Sequence, residues 1–196
     1  MTQIGPDRAH CSAGPPKQDA FRKDDIAVPR KKTPANTGTR TAENPVAELL
    51  KVDNAERFWT GINDLVFPRY ERLGFDGLSA AEQVAHCIDW LVREVEAGGL
   101  RQFLREISGG HTAETLDALR TIGADHTAEM MELATTVFPE EVPVDQDERL
   151  AIMEDFTGRE RRILKDFDAG YFDNSEDLLK LLKAYMAKHV AEFHPE

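Results

Sequence analysis

The chain has 196 residues, with 24 Lys and Arg against 36 Asp and Glu, which gives a formal net charge of −12. That length suits one domain of ordinary size with a tail, since domains usually run about 100–200 residues. No apolar run approaches the roughly 18 residues of a membrane-spanning helix, and residues 1–7 lack the apolar stretch of a secretory signal. Cys11 and Cys87 do not form the spaced series of a disulfide framework. We therefore expect a cytoplasmic protein without a membrane segment.

Charge and composition change together near residue 44. Residues 1–44 hold five of the ten prolines, one aromatic residue, and eight Lys and Arg against five Asp and Glu, a net of +3. Such a segment cannot bury enough apolar surface to offset the entropy of ordering it, so we predict a disordered, mildly basic tail. Residues 45–196 hold sixteen basic and thirty-one acidic residues, a net of −15, and we assign them to one acidic domain.

The size of this charge restricts the partners of the domain. A net of −15 lies outside the magnitude of about 2–8 that serves solubility in a small domain. It indicates either a generally acidic surface or a surface that attracts something basic. Phosphates would be repelled, so we expect no direct nucleic-acid binding by the domain.

The first elements of the domain show the apolar spacing of amphipathic helices. One helix, which Pro68 is expected to limit or kink, is marked by Phe58, Trp59, Ile62, Leu65 and Val66. Ser79 and Glu82 form a capping box that starts the next helix, and Gly98 or Gly99 is expected to end it. Between these signals a single apolar stripe contains Val84, Cys87, Ile88, Leu91, Val92 and Val95.

The later elements are also helical. Residues 111–122 and 126–137 show similar patterns on either side of Gly123, and Asp125 is the expected N-cap of the second helix. Further helical stripes follow to the end of the chain, and clear strand alternation occurs nowhere. The sequence therefore predicts an all-α fold, a single compact domain of about seven helices.

Several residues between positions 97 and 124 resemble a known bacterial family in order and spacing. The family pattern places two glycines before a Gln-aromatic pair, then small residues with Gly, and then an Ile/Leu-Gly-Ala signature. The chain departs from it at Ala97, Leu100 and Glu106 and keeps Gly98, Gly99, Gln102, Phe103, Gly109, Ile122, Gly123 and Ala124. On these residues the chain is similar to the DNA-mimic protein (DMP) family, small acidic helical domains of largely unknown function.

The resemblance covers residues 54–193 and carries functional implications. It implies binding to DNA-binding proteins in competition with DNA, and homodimer formation. From the residues themselves we interpret the double glycine as a helix terminus, Phe103 as a core residue, and Gln102 as a partner for a backbone group near the glycines. Contact with a small ligand or a partner is the alternative for Gln102 and Phe103.

Candidate catalytic and metal-binding residues are few. The six histidines show neither His-x-x-x-His nor His-Glu-x-x-His spacing, and Cys-x-x-Cys is absent. His86 and Cys87 are adjacent and would point about 100° apart on a helix, so they are no ligand pair. Gly-x-Ser-x-Gly is also absent. We predict no enzyme, no metal site and no cofactor; an unrecognised hydrolase would need a buried His–carboxylate pair in a pocket.

Acidic residues concentrate in the last third of the chain. Between positions 140 and 155 seven acids accompany one base, Arg149, and further acids follow up to position 173. Helix neighbours stand about 5–6 Å apart between Cβ atoms, and phosphates on one DNA strand step about 3.4 Å in axial rise. Carboxylates on helices can therefore approximate a phosphate row. We predict a partner-binding surface formed by Glu140, Glu141, Asp145, Asp147, Glu148, Glu154, Asp155, Asp166, Asp168 and Asp173.

The domain has one basic cluster, Arg159, Arg161, Arg162 and Lys165. A partner-facing role is the alternative for these side chains, but we expect them to pair with nearby acids, Glu154, Asp155, Asp166 and Asp168.

The favoured hypothesis is a non-enzymatic binding protein, a DNA mimic whose acidic surface engages and regulates basic, DNA-binding proteins. The alternative is a helical protein-interaction or accessory domain of the toxin-neutralising type, whose acidity only serves solubility. Salt-sensitive binding would favour the first, and salt-insensitive binding through an apolar patch the second.

Overall fold

The computed structural model describes residues 44–173 and 176–194. No strand occurs in these two ranges, so the predicted all-α class is confirmed. The described residues form eight α-helices: Pro45–Leu49 (α1), Ala55–Leu73 (α2), Ala80–Arg105 (α3), Thr112–Ile122 (α4), Asp125–Thr135 (α5), Gln146–Glu154 (α6), Gly158–Asp173 (α7) and Leu178–Lys188 (α8). The predicted tail falls outside the described residues except for Asn44, and its boundary remains a prediction.

One helix that the apolar pattern does not mark is the five-residue α1. It forms because Asn44 accepts a hydrogen bond from the Val46 backbone N–H at 2.9 Å and Pro45 occupies its first position. Proline suits that position, since its missing N–H would have no helical partner there. At five residues α1 is too short for a periodic pattern, and it brings the count to eight.

Helix α3 lies at the centre of the core and packs against α2, α4, α6, α7 and α8. The predicted stripe of α3 is buried from Cys87 to Val95, and Phe58, Ile62 and Val66 of α2 are fully buried beside it. Full burial of such a side chain contributes about 1.5–3 kcal/mol. Because α6 and α7 both pack on α3, the core fixes the position of the acid-rich segments.

The predicted capping box at the start of α3 is confirmed. Ser79 Oγ accepts from the Glu82 N–H at 3.2 Å, and the Glu82 carboxylate accepts from the Ser79 N–H at 2.9 Å. Glu82 is 1% exposed and also accepts from the His194 N–H at 2.9 Å, while its Oε1 lies 3.1 Å from Arg69 Nε. The capping glutamate therefore also holds the last described residue of the chain.

The double glycine ends the first helical segment of α3, as predicted, and a second segment continues to Arg105. Gly98 and Gly99 leave the helical conformation, Gly99 with a φ of +76°, and the helix then resumes to Arg105. Asp168 of α7 accepts the Leu100 N–H at 2.7 Å and so caps the resumed helix. A Cβ on Gly99 would overlap the Asp168 carboxylate. Both the backbone conformation and this close approach require glycine at position 99.

Two further expectations about helix ends are tested. Pro68 does not end α2, which continues to Leu73, and a kink at Pro68 stays a prediction. Asp125 is the first residue of α5 rather than its N-cap, and the cap position, Ala124, has no side-chain acceptor. Glu176 takes over that role from a distant position, since its carboxylate accepts the His126 N–H at 2.9 Å and the Thr127 N–H at 2.8 Å.

None of the described helices has the length and apolar character needed to cross a membrane.

Candidate partner-binding surface

Seven of the ten predicted acids lie together in one stretch, and all seven are exposed. Within the described residues none of them forms an ion pair closer than 4 Å. Asp145 also accepts the Glu148 N–H at 2.9 Å as the N-cap of α6. We call this stretch the acidic surface: Glu140, Glu141, Asp145, Asp147, Glu148, Glu154 and Asp155.

The single base in this stretch, Arg149, is buried with a relative exposure of 0%. Its guanidinium donates to four backbone carbonyls: Leu104 at 2.6 Å, Pro143 at 2.7 Å, Val144 at 3.0 Å and Glu106 at 2.7 Å. Burial lowers the pKa of the guanidinium, with Asp145 acting in the opposite direction. The one cation within residues 140–155 is therefore withdrawn from solvent.

Gly109 of the family motif makes this arrangement possible. A Cβ at position 109 would lie 2.6 Å from the Leu104 carbonyl oxygen and 2.8 Å from Arg149 Nε. Both contacts are closer than real Cβ atoms allow, and one of them is to backbone. Gly109 is thus needed where the chain after α3 passes beside the buried guanidinium, a structural role for a motif residue.

The three remaining predicted acids, all on α7, do not form one face. Asp166 and Asp173 are exposed, but Asp168 is half-buried against α3 and accepts the Leu100 N–H. Burial raises the pKa of Asp168, and the hydrogen bond opposes that rise. Residues two positions apart on a helix project about 200° apart, so Asp166 and Asp168 cannot present a joint surface. Asp168 has a capping role in this structure.

The basic cluster on α7 does not pair as expected. All four of its side chains are exposed, and none forms an ion pair within 4 Å in the part of the chain that the structure describes. The expected ion pairs of this cluster with Glu154, Asp155, Asp166 and Asp168, all of them described residues, are therefore not formed.

The other residues of the family motif are buried, hydrogen-bonded within the domain, or placed at a helix end. Phe103 is fully buried, as predicted. Gln102 donates to the Glu106 carboxylate at 2.8 Å, not to a backbone group near Gly98. Gly123 is the C-cap of α4 with a φ of +83°. The motif residues thus serve mainly the packing and the helix ends around α3 and α4, and their contacts do not indicate a ligand site.

The buried histidine belongs to an aromatic cluster between α2 and α3. His86 is 1% exposed, and its ring centroid lies 3.9 Å from that of Trp90 and 4.6 Å from that of Tyr70. Burial, and secondarily His111, lower the pKa of His86 to about 4, so it is neutral at pH 7. Burial raises the pKa of Cys87 to about 12, so this thiol is not ionised. Among the described residues no group of three His, Cys, Asp or Glu side chains could hold a metal ion.

The sequence did not predict the long-range contacts of Arg149 and Glu176. Arg149 lies four residues before the buried Met153 and seven before the buried Phe156, so its position on the apolar face of α6 was the available signal. Glu176 gave no such signal, because its partners lie about 50 positions earlier in the chain.

The fold and the acidic surface define a small, acidic, all-helical domain in which residues 140–155 expose seven carboxylates without ion pairs among the described residues. Residues 76–189 match the model of the DMP19-like protein family. That match covers more than half of the chain, so the protein belongs to this family and the suspected family is confirmed. No match was found among curated proteins or among solved structures.

Proposed function

We propose that the protein is a non-enzymatic protein-binding domain whose acidic surface engages the cationic, DNA-binding surfaces of other proteins. The observation that carries the proposal is the division of charge in residues 140–155. Seven carboxylates are exposed there while Arg149 is buried. The stretch therefore presents seven negative charges to solvent and no positive one.

The spacing of the carboxylates on α6 supports a resemblance to DNA. Asp147 and Glu154 are seven residues apart, as are Glu148 and Asp155. Seven residues of α-helix rise about 10.5 Å. Phosphates on one strand step about 3.4 Å in axial rise and lie farther apart along the backbone, so each of these pairs spans the axial rise of about three phosphates. A row of Lys and Arg side chains that tracks a DNA backbone could contact such pairs.

Membership of the DMP19-like family supports the same class of partner, since the family resemblance implies DNA mimicry. It also implies homodimer formation, which we retain as part of the proposal. Direct DNA binding by the acidic surface is disfavoured by repulsion from phosphates.

Affinity capture at two salt concentrations tests the proposal. Full-length protein should retain basic DNA-binding proteins from the native host at about 50 mM salt and release most of them at about 200 mM, because screening weakens attraction between exposed charges. Added duplex DNA should release the same proteins by competition. Recovery of partners with only neutral or acidic surfaces would contradict the proposal.

A matched pair of variants assigns the effect to the acidic surface. The acidic-surface variant carries Glu140→Gln, Glu141→Gln, Asp147→Asn, Glu154→Gln and Asp155→Asn and spares the α6 cap. The control variant neutralises five exposed acids elsewhere, Asp53, Glu56, Asp64, Glu71 and Glu129. Each removes five negative charges, from −12 to −7. Capture should fail with the first and persist with the second, whereas equal loss would point to net charge alone.

The alternative is an accessory interaction domain that binds through apolar surface, with acidity serving solubility. The observation that favours this alternative is an exposed apolar groove between α5 and α7, which could bind apolar side chains of a partner. Capture that survives 200 mM salt and the acidic-surface variant would support this second function.

A further inference from the structure

Helices α5 and α7 form an open apolar groove that the acidic surface does not include. Leu133 on its rim is 68% exposed, although it is a large apolar residue. The groove has a volume of about 240 Å³, below the roughly 300–1,000 Å³ of small-molecule pockets. It is therefore suited to a few apolar side chains of a partner. It is lined by Met130, Leu133, Ala134, Thr136, Ile163, Asp166 and Phe167.

The two helices that form the groove run antiparallel. Gly170 lies so close to Met130 that a Cβ there would be 2.7 Å from the Met130 sulfur. Thr136, six residues after Met130, shares the groove with Ile163, which precedes Gly170 by seven. Both helices therefore follow the groove for about 9–10 Å, or nearly two helical turns.

The ends of the groove differ in charge. Arg159 lies one turn before Ile163, and Arg162 one turn before Asp166, so both flank the Thr136 end on the groove side of α7. Neither forms an ion pair in the described ranges 44–173 and 176–194. At the other end Glu129 lies one turn before Leu133 and is exposed. The Thr136 end thus has two arginines beside the lining Asp166, whereas the other end has an acid and no arginine of α7.

We propose that this groove docks a short amphipathic helix of another protein, with apolar residues in the groove and carboxylates against Arg159 and Arg162. An amphipathic helix fits because such helices bind apolar grooves through residues spaced i, i+3 and i+4. Carboxylates suit that end because neither Arg159 nor Arg162 forms an ion pair within 4 Å among the described residues. The Debye length of about 8 Å at physiological salt lets these arginines act locally in spite of the acidic charge of the domain. The groove is separate from the acidic surface, and it would bind a partner with carboxylates, whereas the acidic surface would bind cationic partners.

Two synthetic peptides test the proposal with the full-length chain. Each has about 12 residues, a little over three helical turns, and the same Leu stripe. One ends in Glu residues and the other in Lys residues at the same positions. Fluorescence anisotropy should show the Glu peptide binding about tenfold more tightly, since two exposed ion pairs would favour it. Equal or tighter binding of the Lys peptide, or no binding of either, would overturn the proposal.

Matched variants locate the binding. Leu133→Asp should abolish binding, whereas Val144→Asp, which changes an apolar residue that is 78% exposed outside the groove, should leave it intact. Arg159→Glu with Arg162→Glu should remove the preference for the Glu peptide. Arg161→Glu with Lys165→Glu makes the same charge change on the far side of α7 and should preserve it. Circular dichroism of each variant checks that the fold is retained.

Two other occupants would be recognised by the same experiment. Displacement of the Glu peptide by a peptide of residues 17–32 would assign the groove to this chain's own N-terminal segment. A dimer in sedimentation that Leu133→Asp dissociates would assign it to a second copy. Either result would replace the proposed partner helix.

Discussion

Helices α6 and α7 treat their charges in opposite ways. In α6 the one arginine is buried and the acids face solvent, whereas in α7 an aspartate turns inward and the arginines face solvent. Both inward groups bind backbone: Arg149 donates to four carbonyls, and Asp168 accepts the first N–H of the resumed α3. The comparison shows that the charge of a surface depends on which side chains the backbone retains inside. A count of charged residues along the sequence does not contain this information.

Loss of the buried arginine should have the largest effect on this arrangement. Arg149→Met would leave the carbonyls of Leu104, Glu106, Pro143 and Val144 without their donor. Because an unsatisfied buried polar group costs about 1–3 kcal/mol, the free energy of unfolding should fall by about 3 kcal/mol or more. Urea unfolding followed by circular dichroism measures this.

Arg161→Met on the exposed side of α7 is the control and should change the free energy of unfolding by less than about 0.5 kcal/mol. Arg149→Lys should recover only part of the loss, because an ammonium lacks the planar fork of a guanidinium. A loss below about 1 kcal/mol for Arg149→Met would show that the carbonyls find other donors.

The inward aspartate of α7 should have the next largest effect. Asp168→Ala removes the cap of the resumed helix and should cost about 1–2 kcal/mol. Gly99→Ala should cost about 1–3 kcal/mol, because alanine is strained at a φ of +76° and its Cβ meets the Asp168 carboxylate. The double variant should lose less than the sum, since removing the carboxylate removes the overlap. Strict additivity in urea unfolding would contradict the close approach, and Asp166→Ala is the exposed control.

Repulsion within the acidic surface should give a smaller effect of opposite sign. The acidic-surface variant reduces repulsion between like charges that form no ion pair within 4 Å among the described residues. Its free energy of unfolding should rise by about 1 kcal/mol at low salt and by almost nothing at about 1 M salt, where the Debye length is about 3 Å. The control variant should gain less at the same net charge. An equal gain would mean that the acids of residues 140–155 repel one another no more than dispersed ones.

The smallest expected effect is a pH dependence at Asp168. Burial raises its pKa above the ordinary 3.8, so the folded protein holds this proton more tightly than the unfolded chain does. The stability contributed by Asp168 is therefore greatest below pH 3.8 and decreases as pH rises through the folded-state pKa. Asp168→Asn keeps an oxygen acceptor for Leu100 and removes the titration. Relative to this variant, the wild type should lose stability between acid and neutral pH, and a constant difference would contradict the assigned burial.

Much of the helical framework could be predicted because its signals are local. The capping box of Ser79 and Glu82 joins residues three apart, and the stripe from Cys87 to Val95 follows the helical period. Glycine at position 99 indicated a break because few other residues adopt a positive φ. What the sequence did not show is the origin of the cap that starts the next helical segment, which comes from α7, 68 positions away.

The candidate surface divides in the same way. The sequence by itself determined the helical class, the family and the excess of carboxylates in residues 140–155. Only the tertiary structure decided that Arg149 is withdrawn from solvent, that Asp168 faces α3, and that Arg159 and Arg162 flank an apolar groove. The physical reason is that helix periodicity and capping depend on neighbours within about four residues. The partner of a buried charge is whichever backbone group the packed chain brings to it.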